Sequence, residues 1–134
     1  MSSAAAKKPR PKYLSLRALL FEIRQPVPAW VSILHRISGA LLVFPFAVWL
    51  LYMLDASLAS EAQFQTILEY LELPLVKLGM LLFIWALSHH LCAGIRFLVL
   101  DLNRGIELAP ARRSAVAVLV ASLALTAFFG AKLW

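Results

Sequence analysis

The sequence predicts an all-α integral membrane protein: three transmembrane helices in an up-down-up bundle, preceded by a short amphipathic helix. Three observations carry this. Of the 134 residues, 62% are hydrophobic, and the mean hydropathy is +0.81. A soluble domain is roughly half apolar, and a fold richer than that has little polar surface to show to water, whereas a bilayer lets helix exteriors face lipid. Apolar runs reach the length of about 20 residues that a helical crossing requires. The charges, finally, sort by loop.

Ile37 to Leu54 contains no Lys, Arg, Asp or Glu, and Val31 to Arg36 extends it at the front. Leu78 to Ile95 is equally free of them but carries His89 and His90. Ala115 to Ala131 is uncharged and ends at Lys132 and Trp134. These runs predict helices near 30–54, 74–101 and 112–133, joined by short loops, with residues 1–29 as a separate N-terminal segment and 30–134 as the membrane domain. Pro45 lies inside the first run and is placed to kink it.

Lys7, Lys8, Arg10, Lys12, Arg17 and Arg24 precede the first span, and Arg104, Arg112 and Arg113 lie between the second and third. Asp55, Glu61, Glu69 and Glu72 fall between the first and second, opposed only by Lys77. By the positive-inside rule the N-terminus and the second loop are cytoplasmic, or on the matrix side. The net charge of +6 therefore suits a membrane rather than nucleic acid. In Ser15 to Arg24, Leu16, Leu19, Leu20 and Ile23 fall at i, i+3, i+4 and i+7, the pattern of a helix lying at the membrane surface or against a partner. Pro26 and Pro28 then end it and turn the chain inward. No apolar run follows the basic cluster directly, so no cleavable signal peptide is expected. The single cysteine, Cys92, excludes an internal disulfide, and without a CxxCH pattern there is no site for covalent haem attachment.

Polar and ionisable residues in spanning segments are costly and mark function or a partner. The first group is Ser32, His35, Arg36, Ser38 and Gly39. At about 100° per residue, Ser32, His35, Arg36 and Gly39 share one helical face near the cytoplasmic end. Such a group suits a quinone carbonyl or a carboxylate such as a haem propionate. The plainer alternative has Arg36 snorkelling to the headgroups with His35 at the interface. The second group is His89, His90, Gly94, Arg96 and Asp101, of which His90, Gly94 and Asp101 share a face with Phe97. A neutral imidazole inside a helix bundle is a usual haem ligand, and a glycine one turn away admits a flat macrocycle. The alternative is a histidine hydrogen-bonded to a neighbouring helix. His89 and His90 point about 100° apart and cannot both bind one iron. Either the iron is five-coordinate or, as we favour, another chain supplies the second ligand.

These residues resemble a known family. Arg10-Pro11 followed by Leu14-Ser15-Leu16, then Ser32-Ile33-Leu34-His35-Arg36-Ile37-Ser38-Gly39, then His90-Leu91-Cys92-Ala93-Gly94-Ile95-Arg96 with Asp101, are similar in order and type to the motifs of the larger, cytochrome b-type membrane-anchor subunit of succinate dehydrogenase, respiratory complex II. The resemblance implies that His90 is the axial ligand of a haem b. It implies that Ser32 and Arg36 bind ubiquinone or menaquinone, and that His35, Arg36, Gly94 and Arg96 line the haem and its propionates. It implies as partners a flavoprotein subunit, an iron–sulfur subunit and a small membrane-anchor subunit that gives the second haem ligand, with electrons passing from succinate to the quinone. The chain departs from the pattern at Phe97, where the family often has a second histidine, and His89 precedes the expected ligand. No nucleophile motif or phosphate loop is present, so the chain is expected to supply a site within an enzyme complex rather than to catalyse alone. The expected place is a bacterial inner membrane with the N-terminus cytoplasmic, a mitochondrial inner membrane being the alternative. A fumarate reductase anchor, working in reverse, and a cofactor-free structural or assembly protein are the other readings.

Overall fold

In hydrocarbon, every backbone polar group must find a partner within the protein, which leaves helices or a closed barrel. Helices are what form here. The computed structural model describes residues 15–18 and 23–134, and among these there is no strand. In order come α1 (Val27–Leu41), α2 (Ala47–Ala59), α3 (Glu61–Glu72), α4 (Pro74–Asp101) and α5 (Leu108–Gly130). A π-helical turn over Leu42–Phe46 joins α1 to α2, so Val27–Ala59 is one continuous helix. That helix, α4 and α5 are each long and apolar enough to cross a membrane. At about 1.5 Å per residue even the shortest of them, α5, exceeds the hydrocarbon thickness of about 30 Å. Of the amphipathic helix expected over Ser15–Arg24, residues 19–22 lie outside the described residues; at its start Ser15 Oγ accepts from the Ala18 N–H at 3.0 Å.

The prolines explain where the first helix begins and how it continues. Pro26 caps α1 in an extended conformation, and Pro28 sits in the first turn, where its missing N–H leaves no bond unmade. Pro45 is interior and lacks the N–H that would bond the carbonyl one turn back. The chain absorbs it by widening to a π turn, in which the Ala47 N–H reaches the Leu42 carbonyl. The first span thus runs from Val27 to Ala59, beyond the expected 30–54 at both ends.

The short loop expected after the first span is instead largely the helix α3. Ser60, extended at φ −166° and ψ 160°, separates α2 from α3, and its Oγ accepts from the Gln63 N–H at 3.2 Å. Ser60-x-x-Gln63 has the spacing of a capping box. Glu72 bonds Lys77 at 2.6 Å and ties the end of α3 to α4, although so exposed a carboxylate adds little stability. Between α4 and α5 the chain reverses through Asn103 (φ 57°) and Gly105 (φ 71°). Both are left-handed, the conformation that Gly adopts freely and Asn tolerates.

α4 packs against both α1 and α5, and these two also meet. The core between them is narrow: Val31, Ala93, Ala115 and Val118, with Cys92, Phe97 and Leu119 against it. Small side chains let the backbones approach. Outside this seam, large apolar residues such as Val48, Leu58, Leu98 and Leu123 are exposed, as suits lipid or other membrane helices. Side-chain pairs across both interfaces run antiparallel, so the start of α1, the end of α4 and the start of α5 share one end of the bundle. Ser32, Arg36, Arg96, Asp101, Arg112 and Arg113 collect there, and α3, Lys77 and Lys132 lie at the other.

Because Ala93 is fully buried where the three helices meet, Ala93→Leu forces them apart and costs about 1–3 kcal/mol. Thermal unfolding of the detergent-solubilised protein with its partners should show a lower melting temperature; an unchanged value contradicts this packing.

Candidate functional site

The face of α1 that meets α4 is set by Val31, His35 and Ser38, at i, i+4 and i+7, with Val31 and Ser38 fully buried. The His35 and His90 rings stack across the crossing, with centroids 4.1 Å apart and planes 10° from parallel. A Cβ on Gly39 would lie 2.9 Å from His90 Cε1, closer than real Cβ contacts come, and one on Gly94 would lie 3.7 Å from His35 Nε2. Each helix therefore offers a glycine to the other's histidine. At Gly94 this is an ordinary van der Waals contact, so the His35 ring lies beside that glycine.

His90 Nδ1 lies 3.1 Å from the His35 carbonyl and 3.3 Å from Ser38 Oγ. The Ser38 hydroxyl itself donates to the His35 carbonyl at 2.9 Å. A carbonyl only accepts, so Nδ1 of His90 is the donor here, and in the neutral ring with that tautomer Nε2 keeps a lone pair. That lone pair has no hydrogen-bond partner among the described residues, and His90 is only half-buried.

His89 faces the other way. It is fully buried, its Nδ1 is 3.4 Å from Ser122 Oγ on α5, and its ring lies against Trp85 with centroids 5.7 Å apart. Its Nε2 is sealed from solvent with no hydrogen-bond partner among the described residues. The 100° step between adjacent helical residues thus lays the His90 imidazole on α1 and turns that of His89 toward Ser122 of α5, with the Val31 backbone of α1 also close to it. Of these two neighbours, only His90 holds out a ring nitrogen that an external group can reach.

A family model described as the succinate dehydrogenase/fumarate reductase transmembrane subunit matches residues 7–129. The chain belongs to this family. As a succinate dehydrogenase/fumarate reductase transmembrane subunit it is a membrane anchor, and membership implies association with the flavoprotein and iron–sulfur subunits of such a complex.

Within this anchor subunit the residues singled out from the sequence divide into two places. His35, His90 and Gly94 come together at the α1–α4 crossing. Ser32 is half-buried and Arg36 exposed at the edge of that face, and neither forms a side-chain hydrogen bond or ion pair among the described residues. Arg96 is buried and turned to α5: its Nε donates to Ser114 Oγ at 3.0 Å and one terminal nitrogen donates to the Ala111 carbonyl at 3.3 Å. Phe97 bridges the two places, 5.1 Å from the His35 ring and 5.4 Å from the Arg96 guanidinium carbon.

Sequence reasoning placed Ser38 in the first polar group without a role of its own and passed over Ser114 and Ser122. Each bonds the carbonyl three residues before it while meeting a histidine or arginine of α4. The signal in the sequence was a serine where Leu or Ala would serve; which neighbour it met depended on how the helices pair.

Arg96→Ala removes a buried charged latch between α4 and α5, and bonds of that kind are worth about 1.5–3 kcal/mol. Ser114→Ala should cost less, since Ala111 still accepts from Arg96. Thermal unfolding of the two variants and of the double variant checks this: the double variant should be little worse than Arg96→Ala alone, and simple additivity would show that the latch is not shared.

Proposed function

We propose that this chain is the cytochrome b-type anchor of a succinate dehydrogenase, carrying haem b on His90 and forming part of the site where ubiquinone or menaquinone is reduced. The single observation that carries the reading is the reachable Nε2 lone pair of His90, with its Nδ1–H already bonded to a backbone carbonyl. Ligating histidines characteristically donate their other ring N–H in this way, which fixes the tautomer and strengthens the donor. The donor set also fits. Among the described residues no three His, Cys, Asp or Glu side chains converge. A single imidazole suits an iron already held by a porphyrin: His90 would hold the haem from this chain, and the small membrane-anchor subunit would supply the other protein ligand.

When bound, the haem supplies one-electron exchange beside the path from the iron–sulfur subunit to the quinone. The chain's own residues bind and orient. The Ser32 hydroxyl and Arg36 guanidinium, free of other partners among the described residues, donate to a quinone carbonyl oxygen and hold it as negative charge grows there. Arg36 and His35 lie on the same stretch of α1 and offer donors to the propionates. Arg96 spends two of its five N–H groups on α5 and keeps the rest, with its positive charge, at the same end of the bundle. The basic loops support an orientation with that end in the bacterial cytoplasm, facing the soluble subunits.

The family description covers both directions of the reaction, so an anchor of a fumarate reductase, oxidising quinol, is the second reading.

The test is a reduced-minus-oxidised visible spectrum of the complex purified with its partners. His90→Ala should abolish or shift the b-type signal, and His89→Leu should leave it in place. A signal that survives His90→Ala but is lost in His89→Leu would overturn the ligand assignment. Ser32→Ala and Arg36→Ala should slow succinate-dependent quinone reduction at least tenfold while succinate oxidation with a soluble dye acceptor is kept. Equal loss in both assays would place the two residues outside the quinone site.

A further inference from the structure

We propose that Gly39, Ser38 and the His35 backbone carbonyl form a seat that fixes the plane and tautomer of the His90 ring and sets how strongly its Nε2 donates. This rests on the haem reading above and assigns to Gly39 and Ser38 the part of positioning residues.

An imidazole on a helix has two side-chain torsions to settle, and the structure settles both from α1. The plane is set by stacking on His35 at 4.1 Å and 10°. The ring's approach is set by Gly39: a Cβ there would stand 2.9 Å from Cε1 and 3.3 Å from Nδ1, so any larger residue pushes the ring off α1. The ring cannot yield by turning without giving up its bond to the His35 carbonyl. Gly39 lies one turn beyond His35 on the same helical face, so its bare backbone also leaves that carbonyl open to a donor from outside the helix. By contrast, Gly79 on α4 has nothing within 4 Å of the position its Cβ would take.

Ser38 adds an electronic element. Its hydroxyl proton is committed to the His35 carbonyl, so the oxygen turns a lone pair to His90 Nδ1. The Nδ1–H is thereby shared between two acceptors. Acceptors on Nδ1–H make the imidazole a stronger donor at Nε2, and a stronger donor favours the oxidised iron. Loss of the Ser38 oxygen, or displacement of the ring by a methyl group at Gly39, weakens that donation and raises the reduction potential.

The experiment uses the assembled complex with Gly39→Ala, Ser38→Ala, Ser38→Thr and Gly79→Ala. A potentiometric titration of the haem and its low-temperature electron paramagnetic resonance spectrum are recorded for each. Gly39→Ala and Ser38→Ala should raise the potential and move the low-spin signal. Ser38→Thr, which keeps the hydroxyl, and Gly79→Ala should match the wild type. A Gly39→Ala or Ser38→Ala complex with wild-type potential and signal overturns the inference, as does an equal change in Gly79→Ala. A second arm does not depend on haem. Melting temperatures of Gly39→Ala, His90→Ala and the double variant form a cycle: Gly39→Ala should destabilise the wild type and be nearly neutral once the His90 ring is gone. Additive losses would show that Gly39 does not seat that ring. Should the haem signal survive His90→Ala, the haem reading falls while this cycle still decides the seat.

Discussion

Helices in a bilayer gain little from hiding apolar surface from one another, because lipid is as apolar as leucine, and their association rests on close packing and on polar links. Here α4 has both on each side, and on the α1 side they meet at a single point. Gly39 receives the His90 ring and Gly94 receives the His35 ring. The two rings stack, and the His90 Nδ1–H closes the crossing on the His35 carbonyl. The same α4 then holds α5 through Arg96 to Ser114 and through His89 beside Ser122. A polar link in a membrane returns only about 0.6 kcal/mol. The fit of small residues such as Ala93 and Ala115 must therefore carry most of the α4–α5 association.

The three spans were legible because length and hydropathy decide them and nothing else in the chain competes. The position of Pro45 was legible too, but not its consequence: a π turn keeps the helix continuous, and that depends on what the flanking turns can accommodate. α3 was missed as a helix although Ser60 and Gln63 carry its capping signal, because the acidic residues around it drew attention as loop charge. Of the candidate site, the residue types were visible and the pairings were not. α4 is apolar almost all round, so the sequence gives no azimuth, and nothing in it says that His90 faces α1 while His89 faces α5. Nor could it show that the His35 ring lies beside Gly94, or that Ser38 rather than Ser32 lies on the buried face.

The functional proposal follows from what these constraints leave open. His89 is sealed, Arg96 is latched to α5, and Ser38 is bonded within α1 and to His90. What remains open on this part of the subunit is His90 Nε2, held in place by its Nδ1 contact, with the His35 ring beside it and Ser32 and Arg36 near the same end of the bundle. A membrane subunit of a succinate dehydrogenase or fumarate reductase needs an acceptor site within reach of its soluble partners, and the proposed orientation has them at the end of the bundle that gathers the basic residues.

The most direct test is a density map of the assembled complex at a resolution that shows ring orientation. The account predicts iron on His90 Nε2, with the Nδ1 edge still at hydrogen-bond distance from the His35 carbonyl and the ring still against Gly39. Iron on His89, or a His90 ring turned away from α1, would contradict it.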